Sequence, residues 1–200
     1  MTQPKIIFLF SGKRKSGKDF ISEKLLSRIS SRFPPPCATI IRLSAPLKHE
    51  YASQHGLDYT ELLTASQYKE QHRHDMIKWG EQVRARDPSY FIIRAVHLAK
   101  GESFPVWIVS DMRRRSDLQY FRTNYPNECV TVRVSASPDA RVNRGWKFTK
   151  GVDDAASECD LDDVCAWDHD IDTSHGDEAT TSALIGQLLQ RCRDVGVVVT

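Results

Sequence analysis

Ile6-Ile7-Phe8-Leu9-Phe10-Ser11-Gly12-Lys13-Arg14-Lys15-Ser16-Gly17-Lys18-Asp19 is the stretch on which the fold turns. Its first five residues form an apolar run of strand length with no polar residue to face water, as a strand buried on both sides of a sheet requires. Gly12 to Lys18 then fit the pattern GxxxxGK. The glycines permit tight backbone geometry, while successive N–H groups and a helix N-terminus converge on phosphate oxygens. A chance match somewhere in the chain is expected at roughly 5%, but this one leaves a buried strand and opens a helix. Lys18 is thereby placed to reach β- and γ-phosphates. Asp19 stands where Ser or Thr usually ligates Mg²⁺. A carboxylate can serve as a hard oxygen ligand, directly or through water, or can simply favour the helix macrodipole.

Outward from this stretch, short apolar runs recur at Thr39 to Leu43, Val106 to Val109 and Val130 to Val134, with a fifth at His169 to Asp172. Between them lie segments of helical character: Lys18 to Arg32, Ala45 to His55, Ser66 to Ala85, Pro88 to Ala99 and Asp117 to Tyr125, with a closing helix from Asp177 to Arg193. Strand and helix in alternation predict a doubly wound parallel sheet of five strands flanked by helices. The length suits one domain, with a core of about 1–137 and 167–200. Residues 138–166, rich in charge and turn formers, read as a mobile excursion, either a lid or a solvated loop.

The chain holds 28 Lys and Arg against 26 Asp and Glu, a net charge of +2. Eleven of the acidic residues lie between Gly151 and Glu178 in a window without Lys or Arg, which leaves the remainder at +13. Such segregation focuses positive potential on anions: nucleotide, metabolite or nucleic acid. The acidic window lacks calcium-loop spacing and reads as solvated. Five widely spaced cysteines without a CxxC pair fit thiols in a reducing compartment, and no apolar run is long enough for a leader or a membrane span. The expected address is the cytosol, with no membrane partner.

Cations gather where the ligand edge of such a sheet should lie. Lys13, Arg14 and Lys15 crowd the loop and should repel one another unless polyanions sit among them, which suggests two phosphorylated ligands. Strand Val106 to Val109 leads into Ser110-Asp111-Met112-Arg113-Arg114-Arg115. There Asp111 is placed as a second candidate for Mg²⁺, and the guanidinium groups suit bidentate phosphate binding. Arg42 and Lys48 leave the second strand on the same edge, while Lys69, Arg73, Arg84 and Arg94 surround the insertion before the third. Arg141, Arg144 and Lys147 lie in the excursion, the first two spaced to share a helix face.

Taken together, Ser11-Gly12-Lys13-Arg14-Lys15-Ser16-Gly17-Lys18-Asp19-Phe20, Arg42-Leu43-Ser44 with Pro46-Leu47-Lys48, and Tyr68-Lys69-Glu70 resemble the animal-type phosphomevalonate kinases. So do Asp75-Met76-Ile77 with Trp79-Gly80-Glu81, Val109-Ser110-Asp111 with Arg113-Arg114, Arg144-Gly145-Trp146 with Phe148-Thr149, and Gly151-Val152-Asp153-Asp154-Ala155 with Ser157-Glu158-Cys159. The resemblance spans essentially the whole chain. It implies a nucleoside-monophosphate-kinase-like P-loop fold with a mobile lid. The implied reaction is transfer of the ATP γ-phosphate to (R)-5-phosphomevalonate in the mevalonate pathway to isoprenoids and sterols, by a monomer with no nucleic-acid partner. By the same resemblance, Gly12, Lys13, Arg14, Lys15, Ser16, Gly17, Lys18, Asp19 and Arg141 bind ATP and Mg²⁺. Arg42, Lys48, Lys69, Arg73, Arg84, Arg113 and Arg114 hold the acceptor. Lys13, Arg14, Lys18, Arg113, Arg114, Arg141 and Arg144 serve catalysis, the last two from the lid. Arg115 departs from the family, adding a third arginine where an apolar residue is usual. A nucleoside-monophosphate kinase, or an RNA-holding module that keeps only ATP binding, are the competing readings.

Overall fold

The first strand, β1 (Ile6–Ser11), is buried along its whole length, and its period of two divides it between two cores. In a computed structural model that describes residues 3–63 and 67–197, Ile6, Phe8 and Phe10 face one side and Ile7 and Leu9 the other. Each side chain contributes roughly 1.5–3 kcal/mol by leaving water. On the first side the partners are Ile21, Leu25 and Ile29 of helix α1 (Lys18–Ser30), and Leu184, Leu188 and Leu189 from the last helix of the chain. On the second side they are Ile92 and Ala95 before the third strand, and Leu118 and Phe121 after it.

The remaining strands are β2 (Ala38–Ile41), β3 (Val106–Met112), β4 (Cys129–Ser135) and β5 (His169–Asp172). All pair in parallel in the order β2-β3-β1-β4-β5. Strand order reverses at β1, so the crevice outside its carboxyl end is where a sheet of this kind takes ligands. Register levels that edge: Ser11 stands beside Met112 on one side and Arg133 on the other.

Helices α2 (Ser44–His55), α3 (Tyr59–Leu63), α4 (Gln67–Arg86) and α5 (Tyr90–Leu98) fill the insertion between β2 and β3. Tyr51, Ala52, Leu62 and Met76 give it a small core of its own, with Leu47, Tyr68 and Trp79 packed around it. After β3 come α6 (Arg115–Asn124), α7 (Pro138–Asn143), α8 (Ala156–Cys159) and α9 (Glu178–Asp194).

The expected strands and long helices are present, with shifted ends. β2 stops at Ile41, two residues before the apolar pattern does, whereas β3 runs three residues beyond Val109 and carries Asp111 on the strand itself. Ser66, the expected start of the fourth helix, and Val198, Val199 and Thr200 of the tail lie outside the described residues. The short helices α3, α7 and α8 did not register in the sequence because a single turn offers too little period.

Residues 138–166 are not a bare loop. Val152 and Leu161 are buried, and Asp153 is only 7% exposed. The reading of the acidic window as solvated is therefore corrected: its first half is folded against the loop that follows β1.

Candidate active site

The loop after β1 keeps its shape by two glycine requirements. A Cβ on Gly12 would lie 2.3 Å from the carbonyl oxygen of Val134 in β4 and 2.6 Å from Ser16 Oγ, so no larger residue fits. Gly17 caps α1 with φ 95°, a conformation other residues adopt only under strain. The Ser16 N–H closes the turn onto the carbonyl of Lys13 at 3.1 Å. Just after β5, Thr173 Oγ1 donates to the Ser16 carbonyl at 2.6 Å.

Lys18, at the first position of α1, is 4% exposed. Burial first, and then the neighbouring Arg113 guanidinium, bring its pKa down to about 8 against the opposing pull of Asp19 and Asp111. Asp19 Oδ1 stands 3.7 Å from Lys18 Nζ, with its side chain largely in solvent. A buried ammonium held beside another cation suits a site that awaits anionic ligands.

Arg113 stands at the junction of two adjoining cavities. One is walled by Leu47, Met76, Ile77 and Val152 and carries Lys48, Lys69, Arg73, Arg84, Arg113 and Arg114. The other is lined by Lys18, Asp19, Arg42 and Tyr59 among others. Ser44, Lys48, Lys69, Asp111 and Arg113 line both. Burial lowers the pKa of Lys48, with Arg113 and Arg73 adding to the effect. Lys69 falls to about 8, again chiefly from burial, then from Lys48 and Arg73. Arg73 forks onto Glu70 at 2.9 and 2.6 Å, which holds it upright beside them.

Asp111 does not stand free. Its two oxygens accept the backbone N–H groups of Leu43 at 2.6 Å and Ser44 at 3.1 Å, which caps the start of α2. That tie between β3 and the insertion sets the floor of the cleft. Arg114 is buried and paired with Glu81 of α4. Asp117, in the first turn of α6, accepts the N–H groups of Arg113 and Arg114 at 3.3 and 3.1 Å, so both arginines leave the strand in a set direction.

The acidic segment meets the loop cations directly. Asp162 takes Lys13 at 2.5 Å and Arg133 at 2.9 Å. Asp153 takes Arg14 at 3.1 Å, the Trp146 ring N–H at 2.9 Å and the Thr149 N–H at 2.8 Å. Glu158 pairs with Arg113 and accepts the Arg14 N–H at 3.2 Å. The repulsion expected among the loop cations is thus relieved by the protein's own carboxylates. The pairings of Lys13, Arg14 and Arg113 did not show in the sequence, since each joins residues more than forty positions apart.

Two arginines of the excursion hold backbone in this structure. Arg141 Nε donates to the Arg14 carbonyl at 2.8 Å, and its guanidinium lies 3.9 Å over the Trp146 ring. Arg144 donates to the Lys15 carbonyl at 3.2 Å and to Thr173. Three other sequence candidates lie apart from the cluster. Lys15 is exposed with φ 61°. Arg42 turns to Glu23 of α1 at 3.0 Å and touches only the second cavity. Arg115 pairs with Asp160 and Asp163 outside the cleft and ties the acidic segment to α6. The sequence missed Arg133, which donates to Ser11 Oγ at 3.1 Å; its place on the alternate face of β4 was the available signal.

A family model described as phosphomevalonate kinase matches residues 10–127. A curated phosphomevalonate kinase from Drosophila melanogaster is 46% identical over 160 residues, covering 79% of this chain and 82% of the fly protein. Among solved structures, a Chloroflexus aurantiacus protein provisionally named a kinase has a TM-score of 0.52 at 15% identity and covers 97% of this chain and 98% of its own, a likeness of fold. A phosphate loop facing a cation-lined cleft, a matched family model and a close relative over most of the length lead to one statement: the chain belongs to the phosphomevalonate kinase family.

Proposed function

We propose that this kinase transfers the γ-phosphoryl group of ATP to the phosphate of (R)-5-phosphomevalonate, giving ADP and the 5-diphosphate. The observation that carries the reading is the junction at Arg113, Lys48, Lys69 and Asp111, common to the cavity that Lys18 lines and to the cleft of Arg73, Arg84 and Arg114. A donor phosphate on the loop and an acceptor phosphate in the cleft would meet there. The acceptor oxygen is already anionic near neutral pH, so no strong general base is needed, and charge neutralisation is the main task. Lys18, Arg113, Lys48 and Lys69 supply it from a partly dried site, where fixed charges act more strongly than in water.

Mg²⁺ fits the residues present. Asp19 offers a solvent-facing carboxylate beside Lys18, whereas both Asp111 oxygens already accept backbone N–H groups. Asp19 is thus the residue that would hold the ion, with Asp111 acting through water. When bound, the ion neutralises charge on the phosphate oxygens. No described helix is long and apolar enough to cross a membrane, and all five cysteines are free thiols, as a reducing compartment would keep them.

In this reading the chain is one domain, and 138–166 is a lid that gives way when phosphates replace its carboxylates. Glu158→Gln is then expected to tighten ADP binding about 3- to 10-fold by removing a competitor. It should also lower the melting temperature of the free protein, because Arg113 loses its counter-charge. Titration calorimetry and thermal unfolding check both; weaker ADP binding would refute the competition. The activity itself is tested by phosphorus NMR of the product formed from phosphomevalonate, ATP and Mg²⁺. Equal turnover of nucleoside monophosphates would refute the substrate assignment.

A further inference from the structure

Asp117 is 1% exposed and lines the acceptor cleft together with Arg84 and Arg114. One carboxylate oxygen, Oδ2, serves the backbone of Arg113 and Arg114. The other, Oδ1, is buried with no hydrogen-bond partner among the described residues. Burial pushes the Asp117 carboxyl pKa up and the nearby Arg84 guanidinium opposes the shift, yet the two form no ion pair, and Arg84 Nε is likewise buried without an acceptor among the described residues. Arg84 instead lies 4.8 Å over the Phe91 ring. A buried acceptor and a buried donor left unpaired on one cleft are costly and call for an explanation in the working state.

The chemistry of the pair narrows what could satisfy it. A carboxylate only accepts and a guanidinium only donates, so an anionic oxygen would suit Arg84 and be repelled by Asp117. A hydroxyl does both, accepting from Arg84 Nε and donating to Asp117 Oδ1. Resting on the proposed acceptor, which carries one hydroxyl between its carboxylate and phosphate arms, we propose that Asp117 and Arg84 form a hydroxyl-reading subsite that selects the acceptor among anions of similar length. The surrounding Lys and Arg residues attract any dianion; Asp117 would be the element that discriminates.

The test compares phosphomevalonate with its 3-deoxy analogue, in which the hydroxyl is replaced by hydrogen. The wild-type enzyme is expected to lose about 10- to 100-fold in kcat/KM on the analogue. Asp117→Asn can keep its carbonyl oxygen on the two backbone N–H groups but turns a donor toward the hydroxyl. It should lose a similar factor on phosphomevalonate and discriminate less than 3-fold between the two compounds. Thermal unfolding of the variant reports its fold, and the wild-type comparison stands even if the variant does not fold. Equal wild-type turnover of both compounds would overturn the subsite, as would undiminished discrimination in Asp117→Asn. Failure of the wild type to phosphorylate phosphomevalonate at all would instead overturn the reading beneath it, and the subsite with it.

Discussion

Lys18→Met is expected to lower kcat by about 100- to 1,000-fold in an assay of ADP release, since one preorganised cation is removed from the transferring phosphate. The same substitution should stabilise the ligand-free protein. Lys18 has a folded-state pKa of about 8 against an ordinary 10.5, so between those values the unfolded chain binds more protons than the folded one. Stability therefore rises with pH across that window, and below pH 8 the buried charge costs its full amount. Methionine of similar length removes the cost, so the melting temperature at pH 7 should rise and depend less on pH from 8 to 10.5. Lys69, also near 8, deprotonates over the same range. Wild-type kcat/KM should accordingly fall as pH rises through about 8, where the free enzyme loses its phosphate-binding charges. Activity within a few-fold of wild type in Lys18→Met would remove Lys18 from the donor site.

Arg113→Met is the second large effect: a loss of about 1,000-fold in kcat, with KM raised for both substrates. The reason is position. Arg113 lines both cavities, lowers the pKa of Lys18 and Lys48, and holds Glu158 of the 138–166 segment. No other arginine of its run does all three. Arg114 is committed to Glu81, and Arg115 faces Asp160 and Asp163 outside the cleft. Arg115→Ala is therefore the control, expected to change kcat less than about 3-fold, as for most exposed ion pairs. Steady-state kinetics on both variants separates the roles; comparable losses from the two would mean that the arginine run acts as a diffuse charge.

The fold and the loop were readable because both are local codes. Ile6 to Phe10 is apolar throughout, which only a strand covered on both faces tolerates, and Gly12 with Gly17 marks a turn that few other residues can make. The cationic ring was readable in part, since strand ends in a parallel sheet share one edge and Arg113, Lys48 and Lys18 leave strands there. Arg42 and Arg115 follow strands at the same edge but turn outward, because Arg42 lies two residues before α2 and Arg115 opens α6, and the helix start fixes where each side chain points.

By itself the sequence determined the buried strands and the helices that alternate with them, the phosphate loop and the excess of positive charge around it. Tertiary structure alone decided that Asp153, Glu158 and Asp162 lie on Lys13, Arg14 and Arg113, and that Asp117 keeps an unpaired oxygen in the cleft it lines with Arg84 and Arg114. The physical reason is range. Periodicity and turn chemistry act over a few residues, whereas charge pairing and burial depend on which distant segments the sheet brings to one edge.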